Sequence, residues 1–413
     1  MQCNLFRTVR RRFLAAMSTT VIAILLLMPA AWAASKYRVV YTFTGPDGAN
    51  PRAALIFDEQ GLLYGTTSNG GTTNYGTVFS LDSTGKEAVL YSFAGPDGVN
   101  PFAPVVRDKA GNLYGTASAG GPNQLGAVFK LDVTNALTII SGSTFEPRAG
   151  LVFDKAGRLY GTTMLGGTGE KDCDPGCGTV FRLTPNPDLT WTQEVLYAPN
   201  PPYWGWLGVY PVGGVIVDAN GYVYGTMSEG GNGNCQDGTP PGCGVVFELT
   251  PSSWGSGQEW TITQFHNFTA QEGYPFSDLT MDKHGNIYGT TIGYHKGRGI
   301  VFKATHAPSG LWKWSVLHTF KGPDGANPRA KVILDAAGAL YGTTSGGGAF
   351  HKGTVFKLTP SNGGWKETVL YSFKGGADGA DPEAGLVFDK AGNLYGTTVS
   401  GGAGFGVVFR IKP

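Results

Sequence analysis

Four cysteines, Cys173, Cys177, Cys235 and Cys243, sit in glycine-rich loops, and a fifth, Cys3, lies near the N-terminus. An even set in an exported chain reads as disulfides with three open pairings, of which the local ones, Cys173 with Cys177 and Cys235 with Cys243, are expected. A four-cysteine zinc site is the alternative, but C-x3-C and C-x7-C are poor ligand spacings. Beside these loops stands an aromatic run, Tyr203-Trp204-Gly205-Trp206 with Tyr210 after it. Flat rings suit the apolar face of a sugar or a partner protein, and the structural alternative is a loop folded down as a plug. Repeated Gly-Pro-Asp-Gly loops carry Asp47, Asp97 and Asp324, with Asp378 in a related loop. A ring of carboxylates could hold a cation, yet Asp-Gly and Asn-Pro are ordinary turn formers and none has the alternating spacing of a calcium loop.

The six histidines are scattered. His266 and His318 take a strand position that Tyr91 and Tyr371 hold elsewhere, which reads as packing, and His295 and His351 have no positioned carboxylate. No Ser/His/Asp order, Cys/His pair or phosphate-cradling loop followed by a helix appears, so no catalytic residue, metal site or cofactor is assigned.

What must position these residues is a repeat. Tyr-Gly-Thr recurs at Tyr64, Tyr114, Tyr160, Tyr224, Tyr288, Tyr341 and Tyr395, at spacings of 46 to 64 residues. In the first unit Ala53 to Phe57, Leu62 to Thr67, Gly76 to Leu81 and Ala88 to Phe93 read as four strands, joined first by Asp58-Glu59-Gln60-Gly61. Asp bonds the backbone two residues on and Gly supplies positive φ, as a short hairpin requires. Gly-x-Val-Phe opens each third strand, and Trp191, Trp260, Trp312 and Trp365 precede the fourth-strand aromatic block in four units. The last unit has three strands, while Arg38 to Phe43 is an orphan of the fourth type that matches Val369 to Phe373. Pairing these two ends completes a seven-bladed β-propeller, an all-β fold of four-stranded blades; an open β-solenoid would leave the match a coincidence.

These units, Leu340 to Thr344, Gly346-Gly347 and Gly353 to Leu358 among them, resemble the GloVer-type tandem repeat of exported bacterial proteins described as choice-of-anchor. The resemblance covers nearly all of residues 37 to 413. It implies an exported repeat protein and brings no activity with it. Such proteins often carry a C-terminal anchoring segment; here the last strand is followed by two residues, which favours release over anchoring.

Residues 1 to 33 read as a signal peptide: Arg7, Arg10, Arg11 and Arg12, an apolar run from Val21 to Met28, then Ala31-Trp32-Ala33 as a cleavage pattern. Arg10 to Leu14 also resembles a twin-arginine signal. Residues 34 to 413 form one propeller domain, periplasmic or extracellular. Without the four signal arginines, 27 basic residues face 30 acidic ones, and no basic stripe remains for nucleic acid. No mature stretch is long and apolar enough to cross a membrane, and a monomer is expected. The reading is a binding or interaction module for a polysaccharide or a cell-surface partner, with Tyr203, Trp204, Trp206 and Tyr210 as its candidate contacts. The alternative is a polysaccharide lyase or hydrolase with its site at the central channel, because a propeller supports many chemistries.

Overall fold

Every Tyr-Gly-Thr segment forms the second strand of a four-stranded antiparallel sheet. The computed structural model describes residues 37–142, 144–167, 176–199, 207–235, 242–251, 260–307 and 310–413. In the first blade the strands are Ile56–Phe57, Leu63–Thr67, Thr77–Leu81 and Glu87–Ser92, paired in chain order. Blades two to six repeat that order, the fifth adding a short strand, Tyr274–Pro275, that pairs with Ile287–Ile292. The seventh takes Val387–Phe388, Leu394–Thr398 and Val407–Ile411 from the end of the chain and Tyr37–Thr42 from its start, with Tyr37 opposite Ile411. The protein is therefore a seven-bladed β-propeller whose ring is closed by the expected orphan strand, so the outer edge of the third strand is paired.

The first strands are shorter than the sequence indicates, with Ile56–Phe57 in place of Ala53 to Phe57. Here the backbone turns to a neighbouring blade. Thr66 Oγ1 of blade one donates to the carbonyl of Ala103 in blade two at 2.9 Å, and Thr116, Thr162 and Thr343 do the same to Ala149, Gly213 and Ala384. Thr397 of blade seven reaches Pro51 of blade one at 3.1 Å, which carries the stitching around the closure.

The remaining letters of the repeat have equally local duties. The tyrosine hydroxyl donates to the aspartate of the preceding turn, Tyr64 to Asp58 at 3.2 Å and Tyr341 to Asp335 at 3.0 Å. The glycine lies under the phenylalanine of the third strand: a Cβ on Gly65 would stand 2.6 Å from Phe79 Cζ, and Gly115, Gly161, Gly225, Gly289, Gly342 and Gly396 meet their own phenylalanines in the same way. Those phenylalanines are fully buried, so glycine is demanded by close approach within the sheet.

The Gly-Pro-Asp-Gly aspartates are occupied too. Asp47 accepts the Thr44 N–H at 2.8 Å and the Tyr41 hydroxyl; Asp97 accepts the Ala94 N–H and the Tyr91 hydroxyl. Histidine replaces that tyrosine twice, His318 bonding Asp324 at 3.0 Å and His266 bonding Glu272 at 3.2 Å, which is the packed role expected of both. These carboxylates lock turns.

Two nearby glutamates give a pH-dependent stability. Burial, with the charge of Asp47 second, pushes Glu87 up to about 7, and burial with Asp324 does the same for Glu367. One oxygen of each is buried without a hydrogen-bond partner. A carboxyl raised above its ordinary 4.5 in the folded state favours folding while protonated, and that contribution is lost as pH rises through about 7. Thermal melts should therefore show the parent losing stability between pH 5 and 8, and the Glu87→Gln, Glu367→Gln double variant melting above it at pH 8. Superimposed profiles would refute this.

Candidate functional site

Where the first strands face the axis, alternate residues leave the repeat pattern. Ala53 and Leu55 are 3% and 2% exposed and pack between blades, so Arg52, Ala54 and Ile56 line the channel. The same period of two in the other blades builds three layers. The mouth layer follows each blade's leading proline and reads Arg52, Phe102, Arg148, Val212, Phe276, Arg329 and Glu383 around the ring. Below it lie Ala54, Pro104, Gly150, Gly214, Asp278, Lys331 and Gly385. The third layer is largely aliphatic, with Ile56, Val106, Val152, Ile216, Ile333 and Val387.

The first two layers enclose a cavity of about 460 Å³, and a second of about 390 Å³ lies beneath and shares Asp278 and Lys331 with it. Glu383 pairs with Arg52 on one side and lies 3.7 Å from Arg329 on the other. Arg52 and Arg148, from the blades flanking Phe102, both lie over its ring, at 5.9 and 6.0 Å from the centroid. Arg148 also faces Glu146 at 3.5 Å, a well-solvated pair of small energetic weight. One level down, Asp278 Oδ1 accepts the Gly214 N–H at 2.6 Å. The upper cavity thus holds four cations, Arg52, Arg148, Arg329 and Lys331, against two carboxylates, Asp278 and Glu383. In a chain with a formal charge of +1, that is a local concentration of positive charge in a concave, partly desolvated place.

The mouth opens on the face expected for binding. The connection into each first strand bridges the loop between second and third strands, as Ala49 to Asn69 and Val209 to Glu229 show. Tyr210 belongs to that set. Its φ is +57°, its N–H donates to Cys177 at 2.9 Å, and its carbonyl accepts the Ser228 hydroxyl at 3.0 Å. Its half-buried ring packs with Cys177 and Val209, and burial raises its hydroxyl above the ordinary value, with Glu229 adding to it. Tyr210 leads directly through Pro211 to the channel residue Val212. Tyr203, Trp204 and Trp206 lie outside the described residues, as does Cys173. Cys177 is disulfide-bonded, and Cys235 bonds Cys243 locally, their Cα atoms 5.2 Å apart in a buried cluster with Phe268.

The channel residues escaped the sequence reading because they sit in the shortest strands, next to a proline that signals a turn. A usable signal was present: across the seven units the proline is constant, and the residue after it is cationic, acidic, aromatic or aliphatic by turns. Among the described residues no group of three or more His, Cys, Asp or Glu is placed to hold a metal ion. No described helix is long and apolar enough to cross a membrane.

The profile of the Gloeobacter/Verrucomicrobia repeat matches residues 29–237, 142–311 and 233–413. No curated protein matches the chain. Among solved structures, a 6-phosphogluconolactonase-like protein from Bacteroides fragilis superposes with a TM-score of 0.50 at 13% identity, over 82% of this chain and 86% of its own. A similar protein from Bacteroides uniformis gives 0.48 at 16% identity over 77% and 84%, and a gluconolactonase from Xanthomonas campestris 0.44 at 13% over 92% of each. At these identities the likeness concerns the propeller fold alone.

Proposed function

The chain belongs to the Gloeobacter/Verrucomicrobia repeat family, whose repeat runs through nearly all of it, and from that premise we propose that it is an exported binding propeller whose ligand enters the channel mouth. The observation that carries this reading is the contrast between the seven uniform Tyr-Gly-Thr strands and the channel layer, where seven equivalent positions hold unlike and mostly charged or aromatic side chains. A scaffold needs uniformity; recognition needs particular groups at particular places. The ligand class is a polysaccharide or a surface partner presenting one, since Phe102 and Phe276 offer apolar ring faces and the charged groups offer hydrogen bonds. Tyr210, which leads into the channel residue Val212, would extend the contact outward. A hydrolase would need two carboxylates free to act, whereas Glu383 is already engaged by two arginines.

A glycan array with the mature protein tests this. Ala54 lines both cavities, so Ala54→Trp places a bulky ring in them and should lower binding to every retained glycan at least tenfold while the melting temperature stays within a few degrees. An array on which nothing is retained, or on which Ala54→Trp binds like the parent, defeats the reading.

A further inference from the structure

Resting on the channel-mouth reading, we propose that the ligand is an acidic sugar, a uronate unit whose carboxylate is held by Lys331 and the mouth arginines while a hydroxyl donates to Asp278. Lys331 is the key. Its side chain, partly buried and lining both cavities, makes no ion pair or hydrogen bond among the described residues. A lysine with no partner of its own keeps its three donors for an incoming anion. The arginines above it have partners that orient them: Arg52 and Arg329 lie against Glu383, and Arg148 lies over the Phe102 ring. A guanidinium already oriented loses less freedom when it binds a carboxylate.

Room for the ligand is provided at the same level. Ala54 and Gly150 line both cavities with Lys331, Gly385 lines the upper one and Gly214 the lower. The residues beside the charges are therefore the smallest ones. Asp278 then discriminates among anions. Its Oδ1 is taken by Gly214, and its second oxygen has no partner among the described residues. A carboxylate there accepts from a donor and repels a second negative charge, so an inorganic dianion or a plain polycarboxylate fits poorly and a molecule with one carboxylate beside hydroxyls fits well. Phe102 and Phe276, three blades apart on the ring, supply walls for the apolar face of a pyranose.

The test is titration calorimetry of the mature protein with the 1,4-linked trimer of galacturonate, with uncharged galactotriose and with tricarballylate, a tricarboxylate lacking hydroxyls. The uronate trimer should bind at least tenfold more tightly than either. Lys331→Met should remove that preference, Lys331→Arg should restore most of it, and Asp278→Asn should admit tricarballylate. Melting curves confirm that each variant is folded. Equal binding by parent and Lys331→Met, or tricarballylate binding as tightly as the uronate, overturns the proposal. Galactotriose binding as tightly as the uronate, in a manner abolished by Ala54→Trp, overturns the acidic ligand and leaves the channel mouth as the site. If neither sugar binds, the acidic-sugar proposal falls, and the glycan array decides separately whether the site itself stands.

Discussion

Gly65→Ala is expected to cost at least about 3 kcal/mol, at the upper end of what overpacking usually does, and Gly65→Val to leave no cooperatively folding protein. A single methyl at this position would stand 2.6 Å from Phe79 Cζ and 2.7 Å from Leu55 Cδ2. Both neighbours are buried, at 0% and 2% exposure, and Phe79 is wedged edge-on against Phe43, whose ring centroid is 5.1 Å away. Neither can swing into solvent, so relief requires the second and third strands to separate. Denaturant melts check the size of the effect, and a cycle with Phe79→Leu checks its cause. Each change alone is destabilising, whereas the pair should be less so than the sum because the smaller side chain vacates the contested space. Additive losses would mean that the glycine serves the backbone and not the phenylalanine.

The Gly65 contact shows why the fold was legible in the residues. A glycine in an otherwise β-branched and aromatic strand, repeated seven times three positions before a turn or loop, signals a close approach that only one architecture needs once per unit. The orphan Arg38 to Phe43 segment indicated closure because its aromatic block has the form of the other outer strands. The site was less legible. Lys331 and Asp278 carry no motif, and their importance comes from facing one axis that runs through seven segments distant in sequence. Only the alternation Arg52, Ala54, Ile56 against Ala53, Leu55 marked which side chains would point there, and strands of two paired residues hide a period of two. His266 and His318 were readable as packed because tyrosine stands at the equivalent places, whereas their carboxylate partners, Glu272 and Asp324, came only with the structure.

Removing residues 37 to 43 from the mature chain should abolish two-state unfolding and make the protein associate with itself. Phe43 is fully buried against Phe79, and Tyr37 stacks on Tyr371 with centroids 3.9 Å apart while its hydroxyl donates to the Asp378 carbonyl. Loss of one large buried aromatic costs about 3 to 5 kcal/mol, and two exceed a substantial part of the roughly 5 to 15 kcal/mol that holds an ordinary domain. The strand Val407–Ile411 would also be left with an unpaired edge, a template for pairing with another copy. Light scattering should therefore show growth that depends on concentration. A synthetic peptide of residues 36 to 44 added during refolding should restore a monodisperse species by occupying the vacant edge. A truncated chain that melts like the parent, or a peptide without effect, would show that the closing strand is dispensable.

Because Tyr37 faces Ile411 in an antiparallel pair, both ends of that junction leave from the same corner of the blade. Tension applied across these two residues would load the backbone bonds one after another, as a zipper is opened, and would not share the load along the strand. A propeller held at one end alone carries no such peeling force. The closure is therefore suited to a molecule tethered or handled at a single point, and it would make a poor link in a chain pulled from both sides.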